Sequence, residues 1–232
     1  MEKPSPTRRA LKTRSRPSTV PEQIAAEVNA AVMRGEYLPG DPIREQELAD
    51  AFSVSRGPVR EALRILEKTG VVTIVPLKGA HVTRISKEEL DRFFEIRRAL
   101  VPLLPRYLLE RNVEVIESLE HYVDRLLSLA ENESTHGWDA YVQTVYDLNR
   151  AMCEACRNPQ LENIWMTIFD QTARYTRLGL RDPARRAASA KGWKALMQAL
   201  KLRDADEATA LLLGLISASR RAAIAMMDSE PG

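Results

Sequence analysis

The chain has 232 residues, with 34 Lys and Arg against 32 Asp and Glu, for a formal net charge of +2. Its hydrophobic share of 44% fills a real core and excludes global disorder, while its 2 cysteines, Cys153 and Cys156, are too close together to staple a secreted scaffold. No stretch approaches the ~18 consecutive apolar residues of a membrane helix, and no apolar run of signal-peptide length follows the basic N-terminus. The expectation is a soluble protein of a reducing cytosol, with no membrane partner.

Charge is distributed unevenly. Residues 1–20 carry Lys3, Arg8, Arg9, Lys12, Arg14 and Arg16 against Glu2, so this Pro-, Ser- and Thr-rich segment holds all of the positive excess. It cannot bury enough apolar surface to fold alone and reads as a disordered basic arm. Two roles stay open for it: a solvated leader, or an arm that follows a polyanion such as DNA.

After Pro21, apolar residues at Ile24, Val28, Ala31 and Val32 form one helical stripe that ends near Gly35. A turn-rich Pro39-Gly40-Asp41-Pro42 follows. A short second helix then places Leu48, Ala51 and Phe52 on one face, with the polar run Arg44 to Glu47 at its start. In the next segment Ser55 suits an N-cap, and Pro58 lies in the first turn, where its missing N–H costs nothing. Val59, Ala62, Leu63 and Leu66 must face inward, while Arg56 and Arg60, four apart, project together from another side. Gly70 closes this third helix as a left-handed cap. Residues 71–75 and 80–85 are β-type runs around Lys78-Gly79 and predict a hairpin.

Three short helices followed by a two-stranded hairpin make a winged helix-turn-helix over residues 21–85. The major groove of DNA admits one α-helix, whose exposed N-terminal residues reach the base edges. Arginine's planar fork pairs with a guanine edge or a phosphate. Gly57 and Pro58 keep the helix start lean enough for close approach, and a glycine at the hairpin tip lets backbone enter the minor groove.

The segment resembles the DNA-binding domain of GntR-type bacterial transcription regulators. The resemblance rests on residues 34–41 (RGEYLPGD), 45–52 (EQELADAF), 54–70 (VSRGPVREALRILEKTG) and 78–82 (KGAHV). It implies base contacts from Arg56 and Arg60; Ser55, Gly57 and Pro58 at the same helix start join them as candidate DNA contacts. It also implies a minor-groove wing built on Lys78, Gly79 and His81. Some members place a base-contacting arginine in the second helix where this chain has Gln46. Arg44 stands nearby, so both belong to the candidate DNA contacts.

Residues 86–232 read as an all-α bundle of six or seven helices, with period-3.6 stripes at 87–111, 113–131, 137–156, 159–179, 184–201 and 204–227. Pro102 and Pro105 should kink or split the first of these. Two polar residues interrupt apolar stripes. Arg97 follows Phe93 and precedes Leu100 and Leu104; Asn149 follows Trp138, Val142 and Val145 and precedes Met152. A buried guanidinium needs an anionic partner, either an internal carboxylate or the carboxylate of a bound ligand.

This half is similar to the FCD effector-binding domain of the FadR branch of the same family, through residues 95–100 (EIRRAL), 154–161 (EACRNPQL) and 193–208 (WKALMQALKLRDADEA). In many members an Asp and three His hold a divalent metal in the bundle core. Counted from Asn158-Pro159, those positions fall on Val145, Asn149, Trp193 and Leu215. Only Asn149 offers an oxygen, so the resemblance combined with these residues implies a pocket without metal or other cofactor. The expected pocket is Arg97, Val145, Asn149, Tyr175, Trp193 and Leu215, binding a small organic effector with an acid group on Arg97.

No nucleophile elbow, phosphate loop or paired metal-binding histidines appears, so an enzyme is not expected. The sequence predicts a homodimeric regulator, most simply a repressor, that binds double-stranded operator DNA in the bacterial cytoplasm, on the nucleoid. A regulator whose helical half only dimerises is the alternative.

Overall fold

The computed structural model of the chain describes residues 18–111, 113–131 and 134–229. Most of the basic segment, residues 1–17, lies outside them. The first helix, α1 (Val20–Arg34), begins at a capping box in which Thr19 and Glu22 satisfy each other's backbone N–H groups. It ends where Gly35 turns left-handed at φ 77°. Its buried residues, Ile24, Val28, Ala31 and Val32, are those of the predicted stripe, joined by Ala25.

The helix-turn-helix proper is α2 (Glu45–Ala51) and α3 (Arg56–Lys68), followed by the hairpin β2 (Val72–Val75) and β3 (Gly79–Val82). On α2 the inward residues are Leu48 and Ala49 with half-buried Phe52, whereas Ala51 faces solvent. The helix is therefore rotated slightly from the expected stripe. On α3, Val59, Ala62, Leu63 and Leu66 are buried as predicted. The end of α3 is a full Schellman closure: Gly70, at φ 72°, donates to the Glu67 carbonyl and Val71 donates to that of Leu66.

The hairpin gains a third strand that the sequence did not announce. Pro42–Ile43 forms β1, which pairs antiparallel with β3 and gives the order β1-β3-β2. The second predicted run stops at Val82 rather than at residue 85, because Ile85 belongs to the core of the other half.

That half contains eight helices among the described residues, one or two more than expected. The 87–111 stripe splits at Pro102 into α4 (Lys87–Leu100) and α5 (Leu103–Leu109), as the prolines foretold. The next stripe divides into α6 (Val113–Glu117) and α7 (Glu120–Ala130). Then come α8 (Thr135–Ala155), α9 (Pro159–Gly179), α10 (Pro183–Lys201) and α11 (Ala205–Ser229). By length and composition α11 could cross a membrane; in the fold it packs against α4, α9 and α10.

The buried apolar residues fall into two clusters. One runs from Ile24 to Val82; the other runs from Ile85 to Ala223. They meet where α1 packs on α9, beside an open cleft of about 630 Å³ lined by α1, α3, α8 and α9.

Candidate functional site

Each half presents one site, and the head comes first. Burial of Val59, Ala62, Leu63 and Leu66 fixes the roll of α3, so Arg56 and Arg60 emerge on the solvent side. Arg64 continues that row one turn further and is exposed as well; the same four-residue spacing would have flagged it. Ser55 occupies the N-cap position but makes no side-chain cap bond, so its hydroxyl stays outward. Gly57 is not forced by crowding, since a Cβ there would meet nothing nearer than the Ser55 Oγ at 3.8 Å. Pro58 is half-buried in the first turn.

Both forks are held by α2. Arg56 donates through Nε and Nη2 to the Gln46 Oε1 at 2.9 and 2.5 Å, and the Gln46 amide donates to Asp50 at 2.7 Å. Arg60 donates to the Glu45 carboxylate at 2.9 Å, while Arg44 pairs with Glu47 at 2.8 Å. The sequence reading placed Gln46 and Arg44 at this surface but missed Glu45 as the partner of Arg60. At the wing, Lys78 and Gly79 are exposed; Gly79 takes φ 85° with nothing near its missing Cβ, so the tip is open. The His81 Nδ1 lies 3.3 Å from the Gly79 carbonyl, one strand turn behind the tip.

In the helical half, Arg97 points inward as expected, but on a different stripe. Leu90 and Phe94, rather than Phe93, share its buried face, because α4 rolls to place Phe93 only partly inside. Its guanidinium lies 4.9 Å from the Phe169 ring centre, 5.1 Å from Trp165 and 5.8 Å from Phe94. One bond, to the Thr172 Oγ1 at 3.4 Å, is long, and its Nε has no partner. No carboxylate among the described residues pairs with it. Burial alone pulls its pKa down from 12.5 to about 10, so it stays charged at neutral pH.

Five of the six expected pocket residues do meet. Arg97, Val145, Asn149, Trp193 and Leu215 line one cavity of about 20 Å³, together with Phe169, Thr176, Ser189 and others. That volume holds about one water. The Thr176 hydroxyl is buried there without a partner. The sixth residue, Tyr175, is a correction: it faces α1 and the loop after it, and its hydroxyl accepts from Arg174 at 2.9 Å. One step along a helix is a 100° turn, so Tyr175 and Thr176 cannot share a face. Thr172, Thr176 and Ser189 were missed, although buried hydroxyls interrupting apolar stripes are the same kind of signal as Asn149.

The family's metal does not suit this cavity. Val145, Trp193 and Leu215 carry no ligand atom, and the Asn149 Oδ1 already accepts from the Trp165 Nε1 at 3.3 Å. Among the described residues no three His, Cys, Asp or Glu side chains gather into a metal-binding group. Cys153 and Cys156 are buried free thiols, and burial pushes the Cys156 thiol up to about 12.

A winged helix-turn-helix head joined to an all-α bundle, with an outward arginine row on the third helix, is the architecture of a DNA-binding transcription regulator, not of an enzyme. Residues 21–82 match the family described as bacterial regulatory proteins, gntR family, and residues 92–218 match the FCD domain. The chain belongs to the GntR family, in its FadR-like, FCD-bearing branch. It is 23% identical over 222 residues to the galactonate operon transcriptional repressor of Escherichia coli, covering 86% of this chain and 95% of that protein. It is 31% identical to the uncharacterized HTH-type transcriptional regulator YdhC of Bacillus subtilis, but over only 44% of this chain and 46% of that one. Among solved structures, E. coli McbR/YncC has the same fold, with a TM-score of 0.79 at 18% identity over 91% of this chain and all of that one.

Proposed function

We propose that this regulator is a repressor, acting as a homodimer on operator DNA in the bacterial cytoplasm, and that a small organic anion bound at Arg97 controls it. Arg56 and Arg60 read bases in the major groove, Ser55, Gly57 and Pro58 permit close approach, and Arg44 and Gln46 border the contact. Lys78, Gly79 and His81 form the minor-groove wing. A single head buries too little surface for tight operator binding, which favours two heads on a palindromic site. Residues 1–20 add a basic arm to the head of residues 21–85, and residues 86–232 carry sensing and dimerisation.

One observation carries the effector reading. Arg97 is a buried cation with no carboxylate partner among the described residues, beside an unsatisfied Thr176 hydroxyl, in a cavity whose four metal-ligand positions offer only the already engaged Asn149 oxygen. A carboxylate ligand supplies the missing charge without a metal. One relative is named for repressing the galactonate operon; a sugar acid has the acid group this site would take.

The alternative, a helical half that only dimerises, is favoured by the cavity's volume of about 20 Å³, which an organic ligand would have to enlarge. Titrating hydroxy- and dicarboxylates against the protein–operator complex separates the two. Release or tightening by one acid, lost in Arg97→Met while that variant still binds operator, supports the effector reading. No response to any acid supports the alternative. About one tightly bound transition metal per purified chain would overturn the metal-free pocket.

A further inference from the structure

On α9, neighbouring residues face the two sites. Phe169 and Thr172 meet Arg97, and Thr176 lines the sensor cavity. Between them, Asp170 and Gln171 face the head. The Gln171 Nε2 donates to the Thr69 carbonyl at 2.7 Å, across 102 residues of sequence. Thr69 is the C-cap of α3, where the last carbonyls of a helix have no intrahelical donor. The approach is close enough that a Cβ on Gly70 would collide with the Gln171 amide. Asp170 adds a second point of contact: with Asn29 of α1 and Tyr146 of α8 it lines the cleft between head and bundle.

We infer that Gln171 is the positioning residue through which the sensor cavity sets the placement of the recognition helix. This rests on Arg97 marking the sensor site. A helix is rigid over one turn, so a shift of α9 at Thr172 also carries Gln171. The α3 end follows, because its Schellman closure and the Gln171 amide fix the same carbonyl cluster. The long Arg97–Thr172 bond is the contact on the sensor side that a change at Arg97 alters first.

The test needs neither effector nor DNA. Amide hydrogen exchange across residues 66–71 is compared in the full chain, in Arg97→Met, in Gln171→Met and in the double variant. Gln171→Met keeps about the same side-chain volume against Gly70 and removes the amide, with the N–H that donates to Thr69. In the wild-type background Arg97→Met should change exchange at the α3 end by about 2- to 30-fold, the span of mutational coupling between sites. In the Gln171→Met background that change should vanish. A structural role for Gln171 alone would raise exchange in the single variant without abolishing the response to Arg97→Met. The inference falls if Arg97→Met leaves residues 66–71 unchanged, or if its effect survives in the double variant. The response of the operator complex to carboxylates is measured separately, so failure of Arg97 as an effector site shows there and leaves this cycle interpretable.

Discussion

The guanidinium of Arg97 lies 4.9 Å from the centre of the Phe169 ring, and aromatic faces take the place of a counterion. Such faces recover part of what is lost when a cation leaves water, but less than a carboxylate would. The depressed pKa of about 10 expresses that deficit. For a base with a lowered folded pKa, the cost is present throughout neutral pH and is relieved only above about pH 10. Arg97→Met should therefore stabilise the protein by about 1–3 kcal/mol at pH 7, since an apolar residue of similar length removes an uncompensated charge. Urea unfolding of both proteins checks this. A large destabilisation would mean the aromatic cage stabilises the cation more than burial penalises it.

Asp170 gives the opposite kind of signal. Burial pushes its carboxyl up from 3.8 to about 6, against the opposing effects of Tyr146, Arg150 and Asn29 around it. The folded chain thus holds this proton more tightly than the unfolded chain. The stability contributed is full below about pH 4 and is lost as pH rises through about 6, on the order of 2–3 kcal/mol. Asp170→Asn should abolish that slope. Subtracting its urea midpoints from wild type at each pH isolates the effect from Glu36, Glu89 and Asp91, whose lowered values act in the other direction.

Much of this architecture was legible in the sequence for a physical reason. The stripe Val59, Ala62, Leu63 and Leu66 obeys helical period on an element with water on its other side, so it also fixes where Arg56 and Arg60 point. Gly70 announced its cap because left-handed backbone at a helix end favours glycine strongly. Where the periodicity failed, the cause was equally specific. β1 is two residues of an edge strand beginning at Pro42, too short to carry an alternation. Phe93 and Phe94 are adjacent aromatics, and sequence alone does not say which rolls inward. Nothing local links Gln171 to Thr69 or Glu45 to Arg60, since those pairs exist only after the helices dock.

The pairing of Arg60 with Glu45 makes a prediction about DNA. Their side chains are 62% and 34% exposed, so the ion pair contributes at most about 1 kcal/mol and competes with any duplex for the same fork. Glu45→Gln should tighten binding about twofold to fivefold on operator and random duplexes alike, read by fluorescence anisotropy at fixed salt. Weakening confined to one base pair would instead make Glu45 an acceptor of a cytosine amino group. In the same assay Arg56→Ala should cost about 1–3 kcal/mol and relax preference at one position. Uniform weakening would assign Arg56 to phosphate.

An N-terminal arm that follows the duplex acts through counterion release. Deleting residues 2–17 removes all six basic side chains of the N-terminal segment but leaves the Thr19–Glu22 capping box that starts α1. The head therefore keeps its fold, and any change in DNA binding belongs to the arm. Each phosphate contact contributes about 0.9 to the slope of log affinity against log salt. If the arm follows the duplex, the truncated chain should bind more weakly at low salt, approach the full chain at high salt, and show a slope shallower by about one per cation engaged. An unchanged slope would reduce these residues to a passive leader, leaving the arginine row of α3 and the wing to supply the electrostatic contact.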